Sequence, residues 1–160
     1  MIHRVRSPGY TLIELMVVLA VLGTLAAMAM PMAELTVQRE RERELKRALW
    51  EVRDALDAYR QAREQGAIAA PRDAPLYPPT LLALTEGVAD ARAANQGQVL
   101  RFLRRVPRDP FADPQLPPER TWGVRSYLSE ADKPQAGADV YDIYSLSPKT
   151  GLNGVPLKEW

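Results

Sequence analysis

The feature that most constrains this chain is an apolar run from Leu12 to Met30, which is broken only by Glu14 and Thr24. As an α-helix the run is about 28 Å long at ~1.5 Å per residue, which is close to the hydrocarbon thickness of a bilayer. Arg4 and Arg6 precede it, and positive charge before a span predicts a cytoplasmic N-terminus. The sequence therefore predicts a single-pass membrane anchor with the remainder of the chain outside.

An ordinary secretory signal is the alternative interpretation of this run. The stretch from Ala26 to Ala29 imitates a small-residue cleavage site, although the apolar core of a secretory signal is normally shorter than this run. A run of this length normally stays in the membrane, which favours the anchor.

Composition excludes several kinds of site. The chain has no cysteine, which removes disulfides, thiol catalysis and cysteine-ligated metals. The single histidine, His3, lies in a segment that we expect to be removed. A net charge of +1 does not favour a nucleic-acid partner. Because no phosphate-binding glycine loop or metal-ligand cluster is present, we expect no catalytic residues, no metal ligands and no enzymatic activity.

The chain beyond the apolar run continues in a helical pattern. Pro31 removes a backbone donor and is expected to kink the helix. Charges of alternating sign between Gln38 and Lys46 recur at helical spacing, which predicts a solvated face. Matching of these charges between staggered helices is the alternative.

An apolar stripe then appears at steps of four and three residues, which predicts one buried helix face. Its members are Leu45, Leu49, Val52, Leu56 and Tyr59. We expect a sheet to cover this stripe and the helix to end near Gln65 and Gly66. Trp50 lies off the stripe; core packing or edge burial is favoured, with an inter-subunit contact as the alternative.

The C-terminal half contains short elements separated by proline-rich loops. Residues 81–84 predict a short helix, and residues 99–106 predict either a helical turn or a strand. Residues 122–128 and 140–146 are rich in aromatic and β-branched side chains and predict strands. Residues 154–160 predict an edge strand, which Pro156 limits. The expected fold class is α+β, with one long helix packed on a small antiparallel sheet.

The junction between residues 7 and 15 carries the most specific motif. A short basic leader ends in Gly9, the aromatic residue Tyr10 follows, and Glu14 lies just inside the apolar run. This resembles the processing signal of type IV pilins and type II secretion pseudopilins, although phenylalanine is usual where Tyr10 stands. The resemblance implies cleavage after Gly9, methylation of the new N-terminus at Tyr10, and a kink at Pro31.

The resemblance divides the chain into four segments. Residues 1–9 are a leader peptide, and residues 10–32 form the transmembrane and assembly helix. Residues 33–66 continue as an amphipathic periplasmic helix, and residues 67–160 form a globular α+β head. The implied fold is that of the type IV pilins.

Glu14 has a physical role that is independent of the resemblance. A carboxylate inside an apolar run is costly unless it is paired or protonated. Cleavage creates an α-amino group at Tyr10 that can supply the pair, either within the helix or from a neighbouring subunit. In the filament interpretation this pair sets assembly register, whereas the alternative is an acid that snorkels to the headgroups.

Further likeness lies beyond the N-terminus. Tyr77-Pro78, the turn from Pro107 to Pro110, and the strand end from Tyr144 to Leu146 resemble the protein G (major pseudopilin) family of type II secretion. That family implies a homo-oligomeric helical filament in the bacterial inner membrane, with the head in the periplasm. Its implied partners are minor pseudopilins, the prepilin peptidase and the inner-membrane assembly platform.

Two alternatives to the pseudopilin interpretation remain. One is a type IV pilin or minor pilin for adhesion, motility or DNA uptake. The other is a membrane-anchored periplasmic binding domain that does not polymerise. We expect no cofactor, and bound calcium is the alternative. The family commonly holds calcium in its C-terminal loop, but residues 147–156 contain no Asp or Glu. Asn153, backbone carbonyls, and Asp139, Asp142 or Glu159 from outside the loop could still contribute ligands.

Overall fold

The computed structural model describes residues 9–71, 73–92 and 97–160, and the side chains of residues 28–33 lie outside this description. Its regular elements are α1 (Leu12–Glu64), α2 (Ala83–Glu86), β1 (Val88–Ala89), β2 (Val99–Leu100), β3 (Trp122–Arg125) and β4 (Asp142–Ser145). Contacts divide the chain into an N-terminal unit, Met1–Arg39, and a C-terminal unit, Glu40–Trp160. The α+β prediction is confirmed.

The apolar stripe of α1 is buried as predicted, since all five members are at most 7% exposed. Its covering differs from the prediction. Within the described residues, Trp122 and Ile143 are the fully buried core residues contributed by strands. The other buried members come from loops and short helices: Ile68, Tyr77, Leu81, Leu84, Leu103, Val106, Val140 and Leu157.

The end of α1 has a physical cause in Gly66, which takes a positive φ of 70°. The amide of Ala67 donates to Ala62 O at 2.8 Å, and the amide of Gly66 donates to Arg63 O at 3.0 Å. This pair of bonds is the Schellman arrangement, in which a left-handed glycine lets the chain satisfy the last carbonyls of a helix.

The strands form two separate pairs instead of one sheet. β3 and β4 are antiparallel, with Trp122 opposite Ser145 and Arg125 opposite Asp142, and both are shorter than predicted. β1 and β2 form the second antiparallel pair, so the segment beginning at Val99 starts as a strand. Gly123 is required in β3 because a Cβ there would lie 2.3 Å from the Tyr144 ring.

The predicted edge strand over residues 154–160 is wrong. Leu157–Glu159 forms a 3-10 turn, and the pairing of this region is a single bridge between Thr150 and Pro156. Gly154 takes a positive φ of 79°, which turns the chain back before a strand can begin. Pro156 lacks the N–H that continued pairing needs.

Trp50 is 65% exposed, so the favoured interpretation of core packing or edge burial is wrong. Its position on α1 places it outside the buried stripe, as the helical period requires. The residues of the stripe form the contribution of α1 to the hydrophobic core, and Trp50 is not among them.

A buried carboxylate, Asp109, connects the loop after residue 106 to the β3–β4 hairpin. Asp109 is fully buried and accepts hydrogen bonds from the Ser145 hydroxyl at 2.6 Å and the Phe111 amide at 2.7 Å. Its own amide donates to Thr121 Oγ1 at 3.1 Å. The predicted turn residue is therefore also a structural acceptor in the core.

We expect Asp109→Ala to lower the free energy of unfolding by about 2–4 kcal/mol, because two donors lose a charged acceptor in a buried place. The matched control is Asp113→Ala. Asp113 accepts from the Gln115 amide in an exposed turn, so its loss should cost about 0.5 kcal/mol or less. Urea unfolding of the detergent-solubilised chain measures both, and equal costs would contradict the structural role of Asp109.

Candidate functional site

The bond between Gly9 and Tyr10 lies before the start of α1, in exposed and non-helical chain. A Cβ added to Gly9 would meet no described atom within 4 Å, and Tyr10 is 76% exposed. The described side of this junction is therefore open to another protein. The basic leader with His3, Arg4 and Arg6 lies outside the described residues.

Thr11 and Glu14 cap the beginning of α1. The Glu14 amide donates to Thr11 Oγ1 at 3.3 Å, and the Thr11 amide donates to Glu14 Oε2 at 3.5 Å. This is a capping box, in which two otherwise unpaired amides are satisfied reciprocally. The sequence pattern Thr-x-x-Glu is the local signal for this box, and the role of Thr11 in it was not predicted.

The capping bonds are long compared with the usual 2.7–3.2 Å, and Glu14 is exposed. A carboxylate held this weakly retains acceptor capacity for a stronger donor. An α-amino group at Tyr10 would begin one residue before Thr11. Glu14 therefore contacts the residue that follows the N-terminus which cleavage after Gly9 would create.

The part of α1 that follows is apolar on every face. The large apolar side chains between Leu12 and Leu25 are exposed to solvent. Within the described residues, no other segment of the N-terminal unit covers them. Thr24 satisfies its hydroxyl within the helix by donating to Val21 O at 2.8 Å. A polar residue is tolerated here because its hydrogen bond is internal.

None of the helices, over the residues that were described, contains a stretch long and apolar enough to cross a membrane.

A kink was expected at Pro31, whose side chain is among those that the structure does not describe. The helix is assigned from Leu12 to Glu64.

A second candidate site is the C-terminal loop, residues 147–156, in which calcium was a possibility. The Leu152 amide donates to Glu42 Oε1 at 2.8 Å, so α1 supplies a carboxylate to the loop. Asn153 Oδ1 accepts from the Val155 amide at 3.1 Å. The indole of Trp160 fills the space beside Gly151, where a Cβ would lie 2.4 Å from the ring.

Two of the three carboxylates outside this loop that were expected to contribute already have partners, and the third, Glu159, is exposed in the 3-10 turn Leu157–Glu159. Asp142 Oδ1 accepts from Arg53 Nε at 2.8 Å, and Asp139 Oδ1 accepts from Ser126 Oγ and the Tyr127 amide. Among the described residues no three Asp, Glu, His or Cys side chains are grouped as metal ligands. Calcium binding needs several convergent oxygen ligands.

Comparison with known proteins agrees with the N-terminal geometry. Residues 4–30 match the family described as the prokaryotic N-terminal methylation motif. No curated protein and no solved structure matches the chain. The matched motif supports prepilin-type processing, and the long N-terminal helix followed by small antiparallel strand pairs is consistent with a type IV pilin-like fold.

Proposed function

We propose that the chain is a structural subunit of a pilin-like filament, and specifically of the type II secretion pseudopilus that helps to export folded proteins. The observation that carries the proposal is the exposed Gly9–Tyr10 junction directly before a capped helix whose first turns, apart from Glu14 and Thr24, expose apolar side chains. A processed helix of this kind needs a membrane or other copies of itself to cover its apolar surface.

The pseudopilus is favoured over a pilus by features of the C-terminal unit. The chain lacks cysteine, whereas type IV pilins often close this region with a disulfide. Tyr77-Pro78 and the Pro107–Pro110 turn resemble the protein G family, and Asp109 within that turn holds the β3–β4 hairpin. In this proposal residues 10–32 lie in the inner membrane and residues 33–160 lie in the periplasm.

The proposed partners follow from the same role. The prepilin peptidase would cut after Gly9 and methylate Tyr10, and other copies would pack along α1. Minor pseudopilins and the inner-membrane assembly platform would start and drive the polymer. No catalytic step is assigned to the chain, because its proposed work is assembly.

Intact mass of the membrane-extracted protein tests the processing step. In cells with the prepilin peptidase we expect a chain that begins at methylated Tyr10, and in cells without it the full chain. Gly9→Val should keep the chain uncut, since the residue before the scissile bond changes while the helix beginning at Leu12 does not. A chain cut near Ala27 or Ala29 in both strains would instead establish ordinary secretion and overturn the proposal.

Substitution at Glu14 tests assembly separately from cleavage. Glu14→Ala and Glu14→Gln should each lower the yield of sedimentable filaments at least about tenfold, because an incoming amine loses a charged acceptor. Cleavage should continue, since Gly9 and Tyr10 are unchanged, and intact mass verifies this. Glu14→Asp keeps the charge and should retain part of the yield. Filaments unaffected by all three substitutions would contradict the role of Glu14.

We further propose that the C-terminal loop is held without calcium. Glu42 occupies the Leu152 amide, and Arg53 joins Asp142 to the main-chain oxygens of Ile143 and Trp160. Lys46 lies over the Trp160 ring at 4.5 Å. In this proposal these contacts from α1 hold the C-terminal loop in place, as a bound metal ion would otherwise do.

Removal of calcium and substitution of Glu42 should therefore have opposite outcomes. We expect Tm to be the same in EDTA and in millimolar calcium. Glu42→Ala should destabilise the chain by about 1–3 kcal/mol, because the Leu152 amide loses its acceptor. Glu42→Gln keeps a carbonyl oxygen and should recover most of this. A Tm that rises with calcium would contradict the proposal, whatever the Glu42 variants show.

A further inference from the structure

An asparagine followed by a glycine lies in the C-terminal loop, at Asn153 and Gly154. Asn153 and both of its neighbours in sequence are exposed to solvent. The side-chain amide of an asparagine can be attacked by the main-chain nitrogen of the next residue, and glycine hinders this attack least because it has no Cβ. The Asn153–Gly154 pair therefore combines the residue type, the neighbour and the access to water that such a reaction needs.

The turn around Asn153 holds its side chain against the main chain. The amide of Val155 donates to Asn153 Oδ1 at 3.1 Å. A donor on that oxygen draws electron density from the side-chain carbonyl carbon, Cγ, and stabilises the negative charge that the oxygen carries after attack. The hydrogen bond thus fixes the amide group and makes its carbon a better electrophile.

The attacking nitrogen is the amide of Gly154, which donates to Gly151 O at 2.9 Å. That bond closes a four-residue turn, and Gly154 completes the turn with a positive φ of 79°. A Cβ placed on Gly154 would meet no described atom within 4 Å, so this residue is open on that side. The exposed turn bond has to open before attack, and bonds of this kind open locally at little cost in free energy.

We propose that Asn153 deamidates through a cyclic imide with Gly154, with water as the only other reactant. The Gly154 nitrogen loses its proton and forms a bond to Asn153 Cγ. The bond from Cγ to the side-chain nitrogen breaks, and that nitrogen takes up the proton and leaves as ammonia. Water then opens the imide at Cγ to give aspartate, or at the main-chain carbonyl carbon to give isoaspartate. One amide and one water thereby become one carboxylic acid and one ammonia.

The two products differ in their effect on the loop. Aspartate keeps an oxygen that can accept from the Val155 amide, so the turn can persist. Isoaspartate routes the main chain through the side chain and lengthens it by one methylene group. The Gly154 amide donates to Gly151 O and the Gly151 amide donates to Val155 O, each at 2.9 Å. Because both bonds span the lengthened segment, isoaspartate disrupts the turn.

This turn is also the part of the loop that α1 holds. Leu152 lies inside it, and the Leu152 amide donates to Glu42 Oε1 at 2.8 Å. The indole of Trp160 packs against Gly151 and leaves no room for a Cβ there. Isoaspartate at position 153 would displace both contacts, so the reaction would slowly release the C-terminal loop from the helix.

Ageing of the purified, detergent-solubilised full chain at mildly alkaline pH tests the reaction. The tryptic peptide that contains position 153 should gain the mass of an amide-to-acid exchange and should separate into two products, aspartate and isoaspartate. The chain's other asparagine, Asn95, is followed by Gln96 and is the internal control; its conversion should be at least about tenfold slower, because Gln96 has a side chain. Absence of conversion at position 153 in the folded chain would overturn the inference, as would equal rates at the two asparagines.

Thermal unfolding of the same samples tests the effect on the loop. Tm should fall as the isoaspartate fraction rises, whereas fresh Asn153→Asp chain should keep the Tm of the unmodified protein. Asn153→Gln is the ageing control: attack on its longer side chain would have to close a larger ring, so this variant should keep both its mass and its Tm. An unchanged Tm in chain rich in isoaspartate would overturn release of the loop. Neither measurement depends on filament formation.

Discussion

Burial of the apolar stripe on α1 is the interaction on which the C-terminal unit depends. The four strands together contain few residues and form two separate two-stranded pairs. A two-stranded pair is marginally stable in water by itself, so these pairs need an apolar surface to pack on. The stripe between Leu45 and Tyr59 supplies that surface, and loops as well as strands contribute the side chains that cover it.

Buried polar side chains determine the paths of those loops. The chain has no disulfide to close them, and irregular backbone leaves many amides without ladder partners. Asp109 and Asp139 each accept bonds from a serine hydroxyl and a backbone amide. Each carboxylate thereby fixes two segments that are distant in sequence. Glu42 on α1 accepts a hydrogen bond from the Leu152 amide, and this bond holds the C-terminal loop against the helix.

Two features of α1, its buried stripe and its C-terminal end, could be predicted from the sequence because they depend on helical periodicity and on capping chemistry. The stripe follows from the 3.6-residue period of the helix, and the end of α1 at Gly66 follows from the tolerance of glycine for a left-handed conformation. The structure agrees with both predictions. The edge strand at residues 154–160 was wrong because a turn at Gly154 and the missing amide of Pro156 outweigh local strand preference. Division of the strands into two pairs depends on long-range packing, which composition does not encode.

The candidate site was predicted in part for similar reasons. The junction at Gly9 and Tyr10 is a local motif and could be read directly. The capping role of Thr11 was also local, since Thr-x-x-Glu is its signature, and was overlooked. The partners of Glu42 and Asp142 lie on segments more than 80 residues away in the chain. No spacing rule connects such positions, so a loop held by protein contacts could not be distinguished from one that needs an ion.

The exposure of Trp50 fits a subunit that must remain separate before it assembles. A lone indole surrounded by charges offers too small an apolar patch to drive association in dilute solution. In the filament that we propose, anchoring of every copy in one membrane raises the effective concentration of neighbouring subunits around the indole. A weak contact then becomes sufficient because it acts together with packing along α1. In that proposal, the charged face of α1 and its exposed indole would restrict polymerisation to subunits that the N-terminal helix has already brought together.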